Sequence, residues 1–362
     1  MKIVADTHIP FLKGVFEPFA DVVYLSGNEI GKRDVKDADA LIVRTRTKCN
    51  DELLFGTKVK LIASATIGYD HIDIDYCTAN GISWATAPGC NAAAVQQWVG
   101  AAIVKWIKSR ERNPETLTLG VVGVGNVGQK VVELGRAFGM KVICCDPPRD
   151  EHENLPDFLS LEELLGIADI ITFHVPLTKS GKYPTYHMLN ETSLQLCKPN
   201  ALFVNSSRGG VIDEGALLTF LRENPKADAA IDVWENEPNL LVELAKRAIV
   251  ATPHIAGYSL EGKVMATKMA VEAVSRFFKL GLVDWWPNPN PLNEKFTIKG
   301  NIGLFDLIQK TYNIDADDIR SNSQLFEEFR NTYKYRRDFS AYIVSSCNVN
   351  NAILKRIGFQ VL

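Results

Sequence analysis

Apolar residues along this chain gather into short runs, and longer stretches with helical spacing separate them. Lys2–Ala5, Val22–Leu25, Ala40–Val43 and Leu61–Ser64 are such runs within the first ninety or so residues. Runs this short, apolar on consecutive positions, fit strands covered on both faces. Helical segments between them imply a parallel sheet flanked by helices. From Asn91 to about Arg110 the pattern lengthens into one Ala-rich helix carrying Trp98 and Trp106, read as a connector between two lobes. A second series of strands follows at Leu117–Gly123, Lys141–Cys145, Ile170–Phe173, Ala201–Asn205, Ala229–Asp232 and Ala248–Val250. Helices such as Leu161–Ile167 and Glu214–Glu223 fall between them, and a long amphipathic helix runs from Leu260 to Lys279. The proline-rich stretch Trp285 to Pro291 then stops regular structure, because proline fixes φ and removes a donor. Beyond it, Gly303–Tyr312 and Ser323–Tyr333 read as helices of a separate small domain.

The chain has 362 residues, enough for two or three domains. Hydrophobic residues are 46% and charged residues 23%, ordinary for a soluble globular protein. A formal net charge of -3 gives no global attraction to nucleic acid or to an anionic membrane, so neither is expected as a partner. The seven cysteines are scattered without metal-ligand or disulfide spacing, so no metal is expected and a reducing cytoplasm is. No secretory leader is read at the start, and Ala92–Ile107 is too short and too polar to span a bilayer. The basic cluster Lys334-Tyr335-Arg336-Arg337 has acidic neighbours Glu327, Glu328 and Asp338, which favours a solvated face over a nucleic-acid surface.

Gly123-Val124-Gly125-Asn126-Val127-Gly128 follows an apolar strand and opens a helix. In that setting the first glycine permits a tight turn and the second lets backbone approach a pyrophosphate. The third lets helix and strand pack closely, with the helix N-terminus facing the phosphates. Asp146 ends the next strand, where a carboxylate accepts hydrogen bonds from ribose hydroxyls and repels a 2′-phosphate. NAD is therefore the expected cofactor, although Arg149 stands nearby.

Three later strand ends carry candidate chemistry. Arg208, in Asn205-Ser206-Ser207-Arg208-Gly209-Gly210, could clamp a substrate carboxylate with its planar fork. Glu237 lies in Asp232-Val233-Trp234-Glu235-Asn236-Glu237-Pro238, and His254 in Thr252-Pro253-His254-Ile255-Ala256-Gly257-Tyr258. His174, at another strand end, ranks second to His254. Removing hydride from a carbinol carbon requires a base for the hydroxyl proton, and histidine, titrating near 6.5 when unperturbed, suits neutral pH. Glu237 would fix its tautomer, Arg208 would orient a 2-hydroxy acid, and Asp232 is placed to touch the cofactor.

With these stretches in order, together with His174-Val175-Pro176-Leu177-Thr178, the chain resembles the D-isomer-specific 2-hydroxyacid dehydrogenases. The resemblance implies Arg208, Glu237 and His254 as the catalytic set. It also implies an α/β fold of two Rossmann-like, doubly wound parallel-sheet domains, one of them a flavodoxin-like catalytic lobe, plus a small α+β C-terminal domain. The expected boundaries are 1–92 with 255–286 for the catalytic lobe, 93–254 for the NAD lobe and 291–362 for a dimerisation domain. Val43-Arg44-Thr45-Arg46-Thr47-Lys48 and Ala65-Thr66-Ile67-Gly68-Tyr69-Asp70-His71 point to a subgroup acting on a phosphorylated 2-hydroxy acid as a homodimer. By that resemblance Thr45, Thr66 and Tyr258 contact substrate, while Val175, Pro176, Asp232 and Gly257 join Gly123, Gly125, Asn126, Val127, Gly128 and Asp146 at NAD. Two positions depart from the pattern: Thr45 stands where serine is expected and Arg46 where an apolar residue is. Arg44 and Arg46 would share one face if their strand continues, and could hold the phosphate. Two alternatives stay open, a dehydrogenase of another phospho-acid with a regulatory tail and a corepressor-like protein that binds NAD and partners.

Overall fold

The structure is a computed structural model that describes residues 1–153, 158–345 and 347–362. The chain divides into two compact units, Met1–Asn91 with Leu260–Glu294, and Ala92–Ser259 with Lys295–Leu362.

In the first unit, β1 (Lys2–Asp6), β2 (Asp21–Leu25), β3 (Ala40–Val43), β4 (Leu61–Ser64) and β5 (Ser83–Ala85) form one parallel sheet in the order β2-β1-β3-β4-β5. The direction of winding reverses between β1 and β3, the point where open α/β sheets leave a crevice at their carboxyl ends. Ile3, Ala40, Ile42 and Ala63 meet Ala266, Ala270, Val271 and Val274 of the helix Leu260–Phe278 in one core cluster. β5 lacks an apolar run, and its three residues give no strand signal in the sequence.

In the second unit, β6 (Thr118–Val122), β7 (Lys141–Cys145), β8 (Ile170–Phe173), β9 (Leu202–Asn205), β10 (Asp228–Ile231) and β11 (Val250–Ala251) run parallel in the order β11-β10-β9-β8-β6-β7. Winding reverses between β6 and β8, so the glycine turn after β6 opens onto the switch point. The helix Ala92–Ser109 is no surface connector. Trp98 and Trp106 are fully buried, and their indoles donate to Thr252 Oγ1 at 3.1 Å and Asp228 Oδ2 at 3.0 Å. Its buried glutamines are also satisfied: Gln96 donates to the Lys130 carbonyl and Gln97 to that of Arg337.

Residues after Lys295 add a small parallel sheet, β12 (Phe296–Lys299), β13 (Tyr342–Ser345) and β14 (Gln360–Val361), in chain order. Leu307, Ile308, Phe339 and Phe359 belong to the same core cluster as Val99, Ile103 and Leu134. The segment 334–337 is only half the solvated face expected of it, with Lys334 and Tyr335 exposed. Arg337 is buried, and Arg336 lies beside Ser259 with its donors on the carbonyls of Ile255, Ala256, Tyr258 and Ala94. Charge alternation suggested exposure because those acceptors are backbone groups, which leave no mark in the pattern. Among the described residues no helix is long and apolar enough to cross a membrane, and no cluster of three His, Cys, Asp or Glu could hold a metal.

Candidate active site

The glycine turn has the shape its sequence requires. Gly123 sits at φ 84°, and a Cβ there would fall 2.7 Å from the His174 carbonyl oxygen and from Val175, so the turns after β6 and β8 lie in contact. A Cβ on Gly128 would fall 2.0 Å from the Gly123 carbonyl oxygen. A Cβ on Gly125 would meet nothing within 4 Å, so backbone there lies open for a close approach. Gly125 also caps the helix Asn126–Ala137 with no side chain, leaving the terminal amides for an anion. Asn126 is exposed and Val127 half-buried in that first turn. Pro176, beyond Val175, is exposed, and its carbonyl accepts from Thr185 Oγ1. Asp146 accepts from the Val124 amide at 2.8 Å and the Arg149 amide at 3.2 Å. Arg149 is held away from any 2′-phosphate role: it ion-pairs with Glu153 and donates to the Val124 carbonyl at 2.8 Å. The residues present therefore fit a dinucleotide without a 2′-phosphate.

All strands of this sheet are parallel, so the segments carrying Arg208, Glu237 and His254 leave it at the same edge as the glycine turn. Gly209 fixes the first against the second. Its Cβ would lie 2.0 Å from the Trp234 carbonyl carbon, so backbone packs directly on backbone. Arg208 itself is half-buried, with Nη1 donating to the Ser207 carbonyl at 2.8 Å. The third segment is tied to the second through Asp232, which is 1% exposed. Its Oδ1 accepts from Thr252 Oγ1 at 2.6 Å and the Ile255 amide at 2.8 Å, and its Oδ2 from the Ala256 amide at 2.9 Å. Expected beside the cofactor, this carboxylate also clamps the loop that bears His254.

His254 Nδ1 lies 2.8 Å from Glu237 Oε2 and 3.0 Å from Oε1. With Nδ1–H on the carboxylate, Nε2 is the nitrogen available for proton transfer. Burial alone would raise the Glu237 carboxyl, but the bond from His254, the Trp234 amide and nearby Arg330 together hold it below the usual range. Glu214 accepts the Glu235 amide at 2.7 Å and anchors the same loop; burial pushes its carboxyl up to about 7. His174, the second-ranked histidine, bonds Thr172 Oγ1 at 2.9 Å, and desolvation pushes its imidazole down to about 3. Burial thus favours its neutral form. Gly257 and Tyr258 follow in the His254 loop, with the Tyr258 amide donating to the Ile255 carbonyl.

The remaining predicted residues lie in the first unit, at the carboxyl edge of its sheet. Thr66 follows β4 and donates to the Gly68 carbonyl at 3.1 Å. Arg44 and Arg46 do not share a strand face. β3 ends at Val43, and Thr45 and Arg46 occupy an exposed turn. Arg44 folds back on the fully buried Asp6 at the end of β1, with Nε 2.8 Å from Oδ2 and Nη2 3.3 Å from Oδ1. An uncompensated carboxylate there would be costly, which explains why the arginine turns inward. Two residues that the sequence did not mark complete the neighbourhood of His254 and Glu237: Arg330, and the Arg336 already described. No spacing motif identifies Arg330, because a helix with Glu327 and Glu328 reads as solvated.

Residues 90–256 match the family described as D-isomer specific 2-hydroxyacid dehydrogenase, NAD binding domain. Erythronate-4-phosphate dehydrogenase of Bacteroides thetaiotaomicron is 44% identical over 345 residues, 94% of this chain and 98% of that protein. D-lactate dehydrogenase from Aquifex aeolicus, solved with NAD and lactic acid, superposes with a TM-score of 0.68 at 29% identity, covering 78% of this chain and 96% of that one. NAD-bound 3-phosphoglycerate dehydrogenase of Entamoeba histolytica gives 0.67 at 30% identity, with 79% and 98% covered. The chain belongs to the D-isomer-specific 2-hydroxyacid dehydrogenase family, whose NAD-binding domain it carries.

Proposed function

We propose that this protein oxidises 4-phospho-D-erythronate at its 2-hydroxyl to the 2-oxo-4-phospho acid with NAD, a step in pyridoxal 5′-phosphate (vitamin B6) biosynthesis. The observation that carries the chemistry is the 2.8 Å contact of His254 Nδ1 with Glu237 on the sheet edge that also bears Arg208 and the glycine turn. Arg208 binds the substrate carboxylate through its fork and fixes the carbinol carbon. His254 Nε2 takes the hydroxyl proton, and Glu237 stabilises the imidazolium that forms. NAD, when bound, accepts the hydride. The turn residues Gly123 to Gly128 hold its pyrophosphate, Asp146 its ribose, and Val175, Pro176 and Gly257 lie at its rim. Asp232 lies at the cofactor and also holds the His254 loop. Thr45, Thr66 and Tyr258 contact substrate, and Arg44 or Arg46 supplies charge for the phosphate.

The substrate follows from the relative that spans 94% of the chain, against 79% for the solved 3-phosphoglycerate dehydrogenase. A cytoplasmic setting and a homodimer formed through residues 291–362 belong to the same reading. The test is NADH formation at 340 nm with erythronate 4-phosphate, erythronate and 3-phosphoglycerate side by side. The expected result is a kcat/KM for erythronate 4-phosphate at least about 100-fold above erythronate, the scale set by losing one charged, fully paired group, and also above 3-phosphoglycerate, whose phosphate sits one carbon nearer the reacting centre. Equal rates on 3-phosphoglycerate would refute the substrate, and no turnover on any 2-hydroxy acid would refute the chemistry.

A further inference from the structure

We propose that Arg330 is a positioning residue for proton transfer, holding Glu237 ionised and in place behind His254, so that residues after Pro291 take part in the chemistry. The inference rests on reading His254 and Glu237 as the proton-transfer pair. Arg330 stands on the helix Phe326–Asn331 with only 14% of its side chain exposed. Its Nη1 is 3.7 Å from Glu237 Oε2, and its Nε donates to the Tyr258 hydroxyl at 3.3 Å. One guanidinium thus touches both the carboxylate behind the imidazole and the tyrosine that follows it in the same loop. Arg336 adds a second hold, donating to the carbonyls of Ile255 at 2.9 Å, Tyr258 at 3.3 Å and Ala256. The loop bearing His254 is therefore fixed from the sheet side by Asp232 and from the C-terminal side by two arginines.

The charged and titratable groups around Glu237 define what Arg330 contributes. His254 and the Trp234 amide face it directly, Glu214 approaches from the helix Glu214–Glu223, and Arg330 from the C-terminal segment, with Glu327 beside it. Glu214 and Glu327 are acidic, so Arg330 offsets repulsion that would otherwise favour a neutral Glu237. Without that offset Glu237 would take up its proton at higher pH. Proton transfer needs the ionised carboxylate behind the imidazole, so the arginine extends activity toward lower pH.

The experiment measures kcat and kcat/KM against pH for the full-length enzyme, with Arg330→Met, Arg330→Gln and Arg330→Lys beside the unaltered protein. For Arg330→Met the rising, acidic limb is expected to move up by about one pH unit, and kcat at pH 7 to fall about tenfold, with KM for NAD unchanged. Arg330→Lys keeps the charge and is expected to restore the position of the limb, but not the full rate, because it lacks the fork. Should Arg330→Met lose its fold by circular dichroism, Arg330→Gln can still bond Tyr258 and carries the same expectation. An unmoved limb with an unchanged kcat in the neutral variants overturns the proposal. So does a rise in substrate KM alone, which would assign Arg330 to anion binding. His254→Asn separates the two levels: if that variant retains rate and limb, the proton-transfer reading itself has failed, whatever Arg330 does.

Discussion

His254 carries a φ of 58°, a left-handed conformation that a residue other than glycine holds only where its surroundings over-determine it. Its own amide donates to the Asp232 carbonyl at 2.8 Å, and the Asp232 carboxylate takes the next two amides. The proposed catalytic residues stand out in the sequence as strand-end groups, since a parallel sheet sends all its carboxyl ends to one edge. The hold of Asp232 on the His254 loop was not legible, because a strand-end carboxylate reads the same whatever backbone amides it bonds. Glu214 shows how such anchoring appears in pH dependence. Its folded-state carboxyl is pushed up to about 7 by burial, against about 4.3 for an exposed glutamate. The protonated form is therefore the better tolerated one. Stability associated with it is fully present below pH 4 and is lost as pH rises toward 7. Glu214→Gln keeps an acceptor for the Glu235 amide and removes the buried charge. Its melting temperature should match the unaltered protein at pH 4.5 and exceed it by about 2–4 °C at pH 8. Equal melting temperatures at pH 8 would contradict the burial argument.

At the scale of elements, the strands of both large sheets other than β5 were readable because they are short apolar runs, most of them covered on both faces. β5 was missed for want of such a run, and Arg44 and Arg46 share no face because β3 stops three residues before Arg46. The glycine turn was readable in type, and the structure separates its members by what they tolerate. Gly128→Ala forces a carbon into the Gly123 carbonyl and should destabilise by about 2–4 kcal/mol, visible as a lower unfolding midpoint in urea. Gly125→Ala adds a methyl to open space, so the midpoint should hold. Its dissociation constant for NAD should instead rise about tenfold or more, read by calorimetry, since the methyl lies where the pyrophosphate approaches. If Gly125→Ala unfolded the protein while Gly128→Ala left it intact, the assignment of the two positions would be reversed.

Across the whole molecule, the sequence suggested a C-terminal segment that stands apart, and its proline-rich entry supports that view locally. Yet Leu307, Ile308, Phe339 and Phe359 share one core with the helix Ala92–Ser109, and distant packing of this kind leaves no local pattern to read. A chain ending at Glu294 should therefore lose cooperative unfolding and NAD binding together, as followed by circular dichroism and cofactor fluorescence; a stable, NAD-binding truncation would show that the core closes without it. The placement of Arg330 and Arg336 has a consequence for how the enzyme is made. The ribosome delivers the base, its carboxylate partner and the nucleotide turn long before it delivers the two cations that lock them. A nascent chain thus holds its proposed reactive groups early, and its full rate is expected only once synthesis has passed position 336.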